Sequence, residues 1–427
     1  MFVNRPRLQF YLLLLFFLIL GFGIYLKNIG DLYAWTYYGW LWNYDFGFMK
    51  RALPGALLDL FVTPPISIRT VSRIGLAIGV ILVIQLSVLS AAVTAHYFRS
   101  FVVWTLVLGF MLAGFGLQNV GHMLGVFEHI NLIIAIAVFV ILRSGSLSAI
   151  RCFIAGIVAA VMILVHEAAV FFLFPVLVAF ILHRTTRAAQ KPTDAFTTIL
   201  FFLAAPIVAS VLVYLHPLPD LSQSEFIRIM RARGSHDELT MVHHFALMFD
   251  QRLPRYLREM FEMYRDNKLA WIGAAYTVVF MIVLGGLHRV LLVRFGVLGR
   301  MSSASWISRL LAFLPILVPA FGLLLPGDLL RFLSLVPVAL FLFWCFVWLD
   351  DHLEITDFSP RHSTEICAAA ALMWAWSFWV FPAYGFHPNL SDRLQCVLSF
   401  YPHRGPPPIH RSLCLEQRIE YYRGRKN

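Results

Sequence analysis

The chain has 427 residues, of which 60% are hydrophobic and only 13% charged, and its mean hydropathy is +0.76. A soluble domain carries about 25% charged residues, so an ordinary soluble enzyme is excluded. The apolar runs do not alternate with polar residues, which excludes a transmembrane barrel. The net charge of +11 fits basic loops at anionic headgroups. No soluble domain is left to bind nucleic acid, so nucleic acid is not an expected partner.

The first element follows Arg5 and Arg7 and covers 9–26. Its apolar run is too long, and its end too bulky, for a cleaved signal peptide. It reads as an uncleaved span with a cytoplasmic N-terminus. Next comes "YDFGFMKRALPGALLDLF" (44–61), with Asp45, Lys50, Arg51 and Asp59 among aromatics. Its part 53–64 is too short to cross, and Pro54-Gly55 are expected to break it, so it reads as an interfacial or re-entrant helix. Spans follow at 75–97, 101–117 and 124–142.

The run 149–183 is interrupted only by His166-Glu167. As one helix it would measure about 50 Å at 1.5 Å per residue, against a hydrocarbon core of roughly 30 Å. A hairpin with His166-Glu167 at its tip fits better. It also gathers Arg143, Arg151, Arg184, Arg187 and Lys191 on one side, as the positive-inside rule prefers.

Spans at 195–215, 269–287, 309–325, 329–349 and 366–386 bring the expected number to eleven. The fold class is therefore all-α, a polytopic integral membrane protein with interfacial helices. A single membrane domain covers 1–386 and a basic polar tail 387–427. The polar loop 216–268 reads as two or three amphipathic helices lying on the bilayer, broken at Gly234 and Pro254. Cys152, Cys345 and Cys367 lie in apolar segments and read as packing residues. Cys396 and Cys414 can pair if the tail faces an oxidising compartment.

Parity of the spans brings five polar segments to one face, whichever way the chain is inserted. They are 44–61, the connection "NVGHMLGVFEHIN" (119–131), the His166-Glu167 tip, the loop 216–268 and the Gly327-Asp328 turn. The acidic stretch 350–357 and short basic connections fall opposite. Ionisable groups near a bilayer core are costly and default to function. Asp45, His166 and Glu167 are the candidate catalytic bases. Lys50, Arg51 and Arg331, with Asp328 beside them, form the candidate phosphate-binding set, and His122 and Glu128 are candidate substrate contacts.

Each has a plainer alternative. Lys50 and Arg51 can snorkel to headgroups. Asp328 can pair locally with Arg331 or cap the helix after it. His122 and His129 fit structural loop roles, and so do Asp31 and Asp59. Trp35, Tyr37, Tyr38, Trp40 and Trp42 suit either an interfacial belt or stacking on sugar rings. Val170 stands where a zincin helix needs its second histidine, and no GxSxG, P-loop or GxGxxG occurs. No cofactor is expected, with a divalent metal left open.

"YDFGFMKRALPG", a His-Glu in a later hairpin and "DLLR" (328–331) resemble bacterial surface-polysaccharide membrane proteins. These are the O-antigen- and exopolysaccharide-polymerase-like proteins and the glycosyltransferases using polyprenyl-phosphate sugars. The likeness covers three short patches, under a tenth of the chain. It implies ten or more helices, a site on the non-cytoplasmic face of the bacterial inner membrane, and lipid-linked saccharide substrates. By position, Asp45 corresponds to the base, and Arg51 and Arg331 to the arginines that hold pyrophosphate. The first loop lacks the paired acidic motif usual in membrane glycosyltransferases, and the 216–268 loop shows no matching arginine pattern. The expected function is glycosyl transfer or polymerisation from a polyprenyl-(di)phosphate donor. The alternatives are a transporter or flippase of lipid-linked saccharide or a small anion, and a non-enzymatic assembly partner.

Overall fold

A computed structural model describes residues 6–27, 34–44, 51–113, 117, 120, 125–187, 192–215, 222–234, 268–294, 313–320, 329–350 and 364. Among these nearly every residue is helical and no strand forms. Pro6–Leu26, Ile68–His96, Ala169–Thr186 and Asp194–Val213 are long and apolar enough to cross a membrane, and shorter apolar helices stand beside them. The described residues are almost all helical, and their apolar helices point to a multi-pass membrane protein. The span expected at 366–386, the tail 387–427 and the paired Cys396 and Cys414 lie outside the described residues.

Several helices begin where a serine says they should. Ser67, Ser100, Ser148 and Ser222 each accept the backbone N–H three residues on, at 3.1–3.3 Å. They start α4 (Ile68–His96), α5 (Phe101–Leu112), α7 (Ala149–Val165) and α11 (Gln223–Arg233). Such a cap satisfies one orphan donor and contributes about 1 kcal/mol. The remaining labelled helices are α1 (Pro6–Lys27), α2 (Ala34–Trp40), α3 (Ala52–Asp59), α6 (Phe127–Arg143), α8 (Ala169–Phe172), α9 (Phe174–Arg187), α10 (Pro192–Leu215), α12 (Lys268–Arg294) and α13 (Leu329–Asp350).

The 149–183 run is a hairpin. α7 leaves Ser148, the chain turns at His166-Glu167, and α9 comes back to where α7 began. Arg184 on α9 donates to the Leu142 carbonyl and, at 3.0 Å, to that of Gly145, and its Nε lies 3.2 Å from Asp350. Arg143 donates to the Leu349 carbonyl at 2.8 Å and the Tyr97 hydroxyl to that of Trp348 at 3.0 Å. The C-terminal ends of α4, α6, α9 and α13 are thereby tied together. Arginines supply donors to terminal carbonyls that a helix leaves without partners.

Close packing sets the helix pairs. α1 lies antiparallel to α4, with Ser87 donating to the Phe17 carbonyl at 3.1 Å and Tyr25 to that of Leu76 at 3.3 Å. α7 meets α10 at Gly156, where the Phe202 carbonyl occupies the space a Cβ would need. Small residues of this kind let membrane helices approach backbone to backbone. Phe139, Phe180 and Phe346 pack together in the large core, with stacked and edge contacts between their rings.

A second, smaller core sits at the end opposite the arginine ties. Tyr37, Tyr38, Trp40 and Trp42 are buried in it with Leu58, Ile66, Phe127 and Phe226. This corrects the expectation of an aromatic belt or a stacking platform for these four. Their rings are packed inside protein, and Tyr37 and Trp40 donate to the carbonyls of Ile66 (2.6 Å) and Gly125 (2.8 Å).

Pro54-Gly55 do not break the short helix either. They lie in the first turn of α3, where proline gives up no needed hydrogen bond. Gly55 is required because the Trp42 carbonyl lies against its Cα. The amphipathic α11 ends at Gly234, as its sequence suggests. Its apolar side, Phe226 and Met230, is covered by this second core and not by lipid.

Candidate functional site

Arg51 immediately precedes α3 and has a left-handed backbone, φ 65° and ψ 9°. Holding a non-glycine residue there costs on the order of 1 kcal/mol or more. Its side chain reaches the hairpin tip. Nε donates to Glu167 Oε2 at 3.0 Å and Nη2 to Oε1 at 2.7 Å. This is a forked pair between a planar guanidinium and a carboxylate, stronger than a neutral hydrogen bond. Both side chains keep partial access to the outside, at 19% for Arg51 and 13% for Glu167.

His166 ends α7 in extended conformation and is almost fully buried. The Ala168 N–H donates to its Nδ1 at 3.1 Å, and Asn131 Nδ2 donates to its carbonyl at 3.1 Å. With Nδ1 accepting, the ring proton belongs on Nε2. Nε2 faces Glu128 Oε1 at 3.5 Å, longer than a good hydrogen bond. Glu128 occupies the first turn of α6, where the helix N-terminus favours a carboxylate. Glu167 Oε2 stands 3.8 Å from Nδ1, whose lone pair is already used.

The two neighbours at the tip therefore belong to different pairs. Glu167 belongs with Arg51, and His166 with Glu128. Of Glu128 and Glu167, Glu167 is the carboxylate with partial access to the outside, and it is held on Arg51. The His166 ring lies against Glu128, with the Nδ1 lone pair taken by the Ala168 N–H. Glu128 is buried beside this ring and does not stand at the surface.

The structure thus brings together His166, Glu167, Arg51 and Glu128 of the expected set. Asp45, Lys50, His122 and Asp328 lie outside the described residues, and Arg331 is described only as part of the α13 backbone. Tyr44 has its phenol pushed up by burial, so it remains a neutral group at ordinary pH. Among the described residues no three His, Cys, Asp or Glu side chains are grouped to hold a metal ion.

A second ionic cluster carries structure, as expected for Asp59. Arg233 Nη2 donates to both Asp59 oxygens at 2.6 and 2.9 Å, and its Nε to the Leu41 carbonyl at 2.8 Å. Asn43 donates to the same carboxylate at 2.7 Å. The Ile66 N–H donates to the Arg233 carbonyl at 2.7 Å, and Ile66 bridges Gly234 in parallel. α11 is thereby fastened to α3 and to the start of α4. Nothing in the sequence sets Asn131 apart. Arg233 carries a weak signal, the last of the arginines at 228, 231 and 233 in an amphipathic run, next to a glycine.

Comparison with known proteins adds no relative: no family model, curated protein or solved structure matches the chain.

Proposed function

We propose that the chain is a membrane glycosyltransferase or polysaccharide polymerase acting on polyprenyl-(di)phosphate-linked sugars. In this reading about eleven spans hold it in the bacterial inner membrane, N-terminus inside, with the site at the outer face. The observation that carries it is the Arg51–Glu167 pair, partly open at the end of the bundle. A lipid diphosphate keeps its chain in the bilayer and presents its anion at headgroup depth. A guanidinium fork matches that anion, and a carboxylate beside it is the group needed to deprotonate a sugar hydroxyl. Asp45, Lys50, Asp328 and Arg331 complete the site by their place in the chain.

The test is a deletion strain carrying wild type, Asp45→Asn, Glu167→Gln or Arg331→Ala, with membrane protein level checked for each. Accumulation of short or unextended lipid-linked saccharide in well-expressed variants supports transfer. Wild-type polysaccharide from all three removes the site from the chemistry.

One observation favours a second reading, transport of the same class of substrate. Glu128 and His166 lie deeper than the Arg51–Glu167 pair, and buried protonatable pairs are what ion-coupled carriers use. Export of labelled lipid-linked sugar with its glycosidic linkage unchanged would decide for transport.

A further inference from the structure

The described cluster presents a problem of charge. It holds one guanidinium and two carboxylates around a ring whose Nδ1 is an acceptor. An anion approaching Arg51 meets Glu167 already seated on the same fork. Phosphate and diphosphate oxygens present the same two-point geometry as a carboxylate, so both cannot hold those two donors at once. The partners are also placed to separate. Arg51 stands just before α3 and Glu167 in the turn between α7 and α8, so neither lies within a regular helix. Opening the pair breaks no helical hydrogen bond. Beneath it, Glu167 Oε2 is 3.8 Å from His166, which leads inward to Glu128.

We propose that Glu167 is the resident occupant of an anion site on Arg51, and that a phosphate or diphosphate group displaces it. Displacement does two things together. It seats the anion on the guanidinium, and it releases a carboxylate beside the incoming group. Without the anion the carboxylate stays neutralised by Arg51. The base is thus idle until the anionic group is bound. This inference rests on the glycosyl-transfer reading for its choice of substrate, but the anion exchange itself does not need the sugar.

The binding test uses the purified full chain in phosphatidylcholine nanodiscs with two probes, inorganic pyrophosphate and farnesyl diphosphate. Glu167→Gln removes the competing charge while keeping shape. Its affinity for both probes is expected to rise about tenfold if the closed pair is populated nine-tenths of the time. The double variant Arg51→Gln/Glu167→Gln leaves no lone charge behind and is expected to lose the gain. An unchanged or weakened affinity in a monodisperse Glu167→Gln protein overturns the proposal. So does tight binding by the double variant.

A gain for pyrophosphate with no further preference for the farnesyl compound supports the exchange and counts against the polyprenyl-linked substrate. Repeating the measurement in phosphatidylglycerol nanodiscs separates the sources of phosphate. If that lipid suppresses farnesyl diphosphate binding only where Arg51 is present, a headgroup phosphate occupies the same fork, and the exchange is again supported.

Discussion

Arg51 and Glu167, 116 residues apart in the chain, meet through two hydrogen bonds of 3.0 and 2.7 Å. The contact ties the turn before α3 to the tip of the α7–α9 hairpin. It separates Glu167 from its neighbour His166, which faces Glu128 instead. A partly buried pair of this kind leaves an uncompensated charge when one side is removed. Arg51→Gln and Glu167→Gln are each expected to destabilise by about 1–3 kcal/mol. The double variant is expected to lose less than their sum. Thermal unfolding of the four proteins in one detergent gives the coupling, and strict additivity would remove the pair from the energetics.

The His166 ring is expected to stay neutral with its proton on Nε2, because the Ala168 N–H claims Nδ1. Nitrogen-15 solid-state NMR of the histidine-labelled protein in lipid reads the two ring nitrogens separately. One pyridine-type and one pyrrole-type signal for His166, assigned by its loss in His166→Gln, is the expected result. A doubly protonated ring at neutral pH would contradict it.

Arg233 is expected to hold α11 in place. Its guanidinium serves the Asp59 carboxylate and the Leu41 carbonyl together. Arg233→Met keeps much of the apolar stem and removes the donors, leaving Asp59 with Asn43. A cost of about 2–4 kcal/mol follows from a partly buried ion left without its main partner. Trypsin cleavage after the exposed Arg228 or Arg231 should become faster in this variant. Equal cleavage rates in wild type and variant would show that α11 is held by Phe226 and Met230 alone.

Two helix glycines should respond oppositely to alanine. At Gly156 the new methyl would meet the Phe202 carbonyl, while at Gly109 nothing stands within 4 Å. Gly156→Ala is therefore expected to lower stability by about 1–3 kcal/mol through forced separation of α7 and α10. Gly109→Ala is expected to be neutral or slightly stabilising, as alanine favours helix. The two unfolding temperatures, measured side by side, check the packing of α7 on α10.

Much of the architecture could be read before any coordinates. Apolar runs of spanning length and the arginines between them are local signals, readable along the chain. The hairpin at His166-Glu167 was legible for the same reason, since a single helix of that length would overshoot the membrane. Parity then placed Arg51, Glu128, His166 and Glu167 at one end, where they are found.

What local pattern could not supply was partnership. Adjacent letters in His166-Glu167 suggested one working pair, yet the extended backbone at His166 sends the two side chains to different partners. The aromatics at 37–42 look like a membrane belt by composition, and only the docking of α3 and α11 shows them buried. Pro54-Gly55 read as a break because sequence does not show that Gly55 lies under the Trp42 carbonyl. Chain order and hydropathy determined that the described residues form a helical bundle with Arg51, Glu128, His166 and Glu167 at one end and Arg143, Arg184 and Asp350 at the other. Which charge meets which was decided by the tertiary structure, because directional bonds of about 3 Å depend on contacts between segments a hundred residues apart.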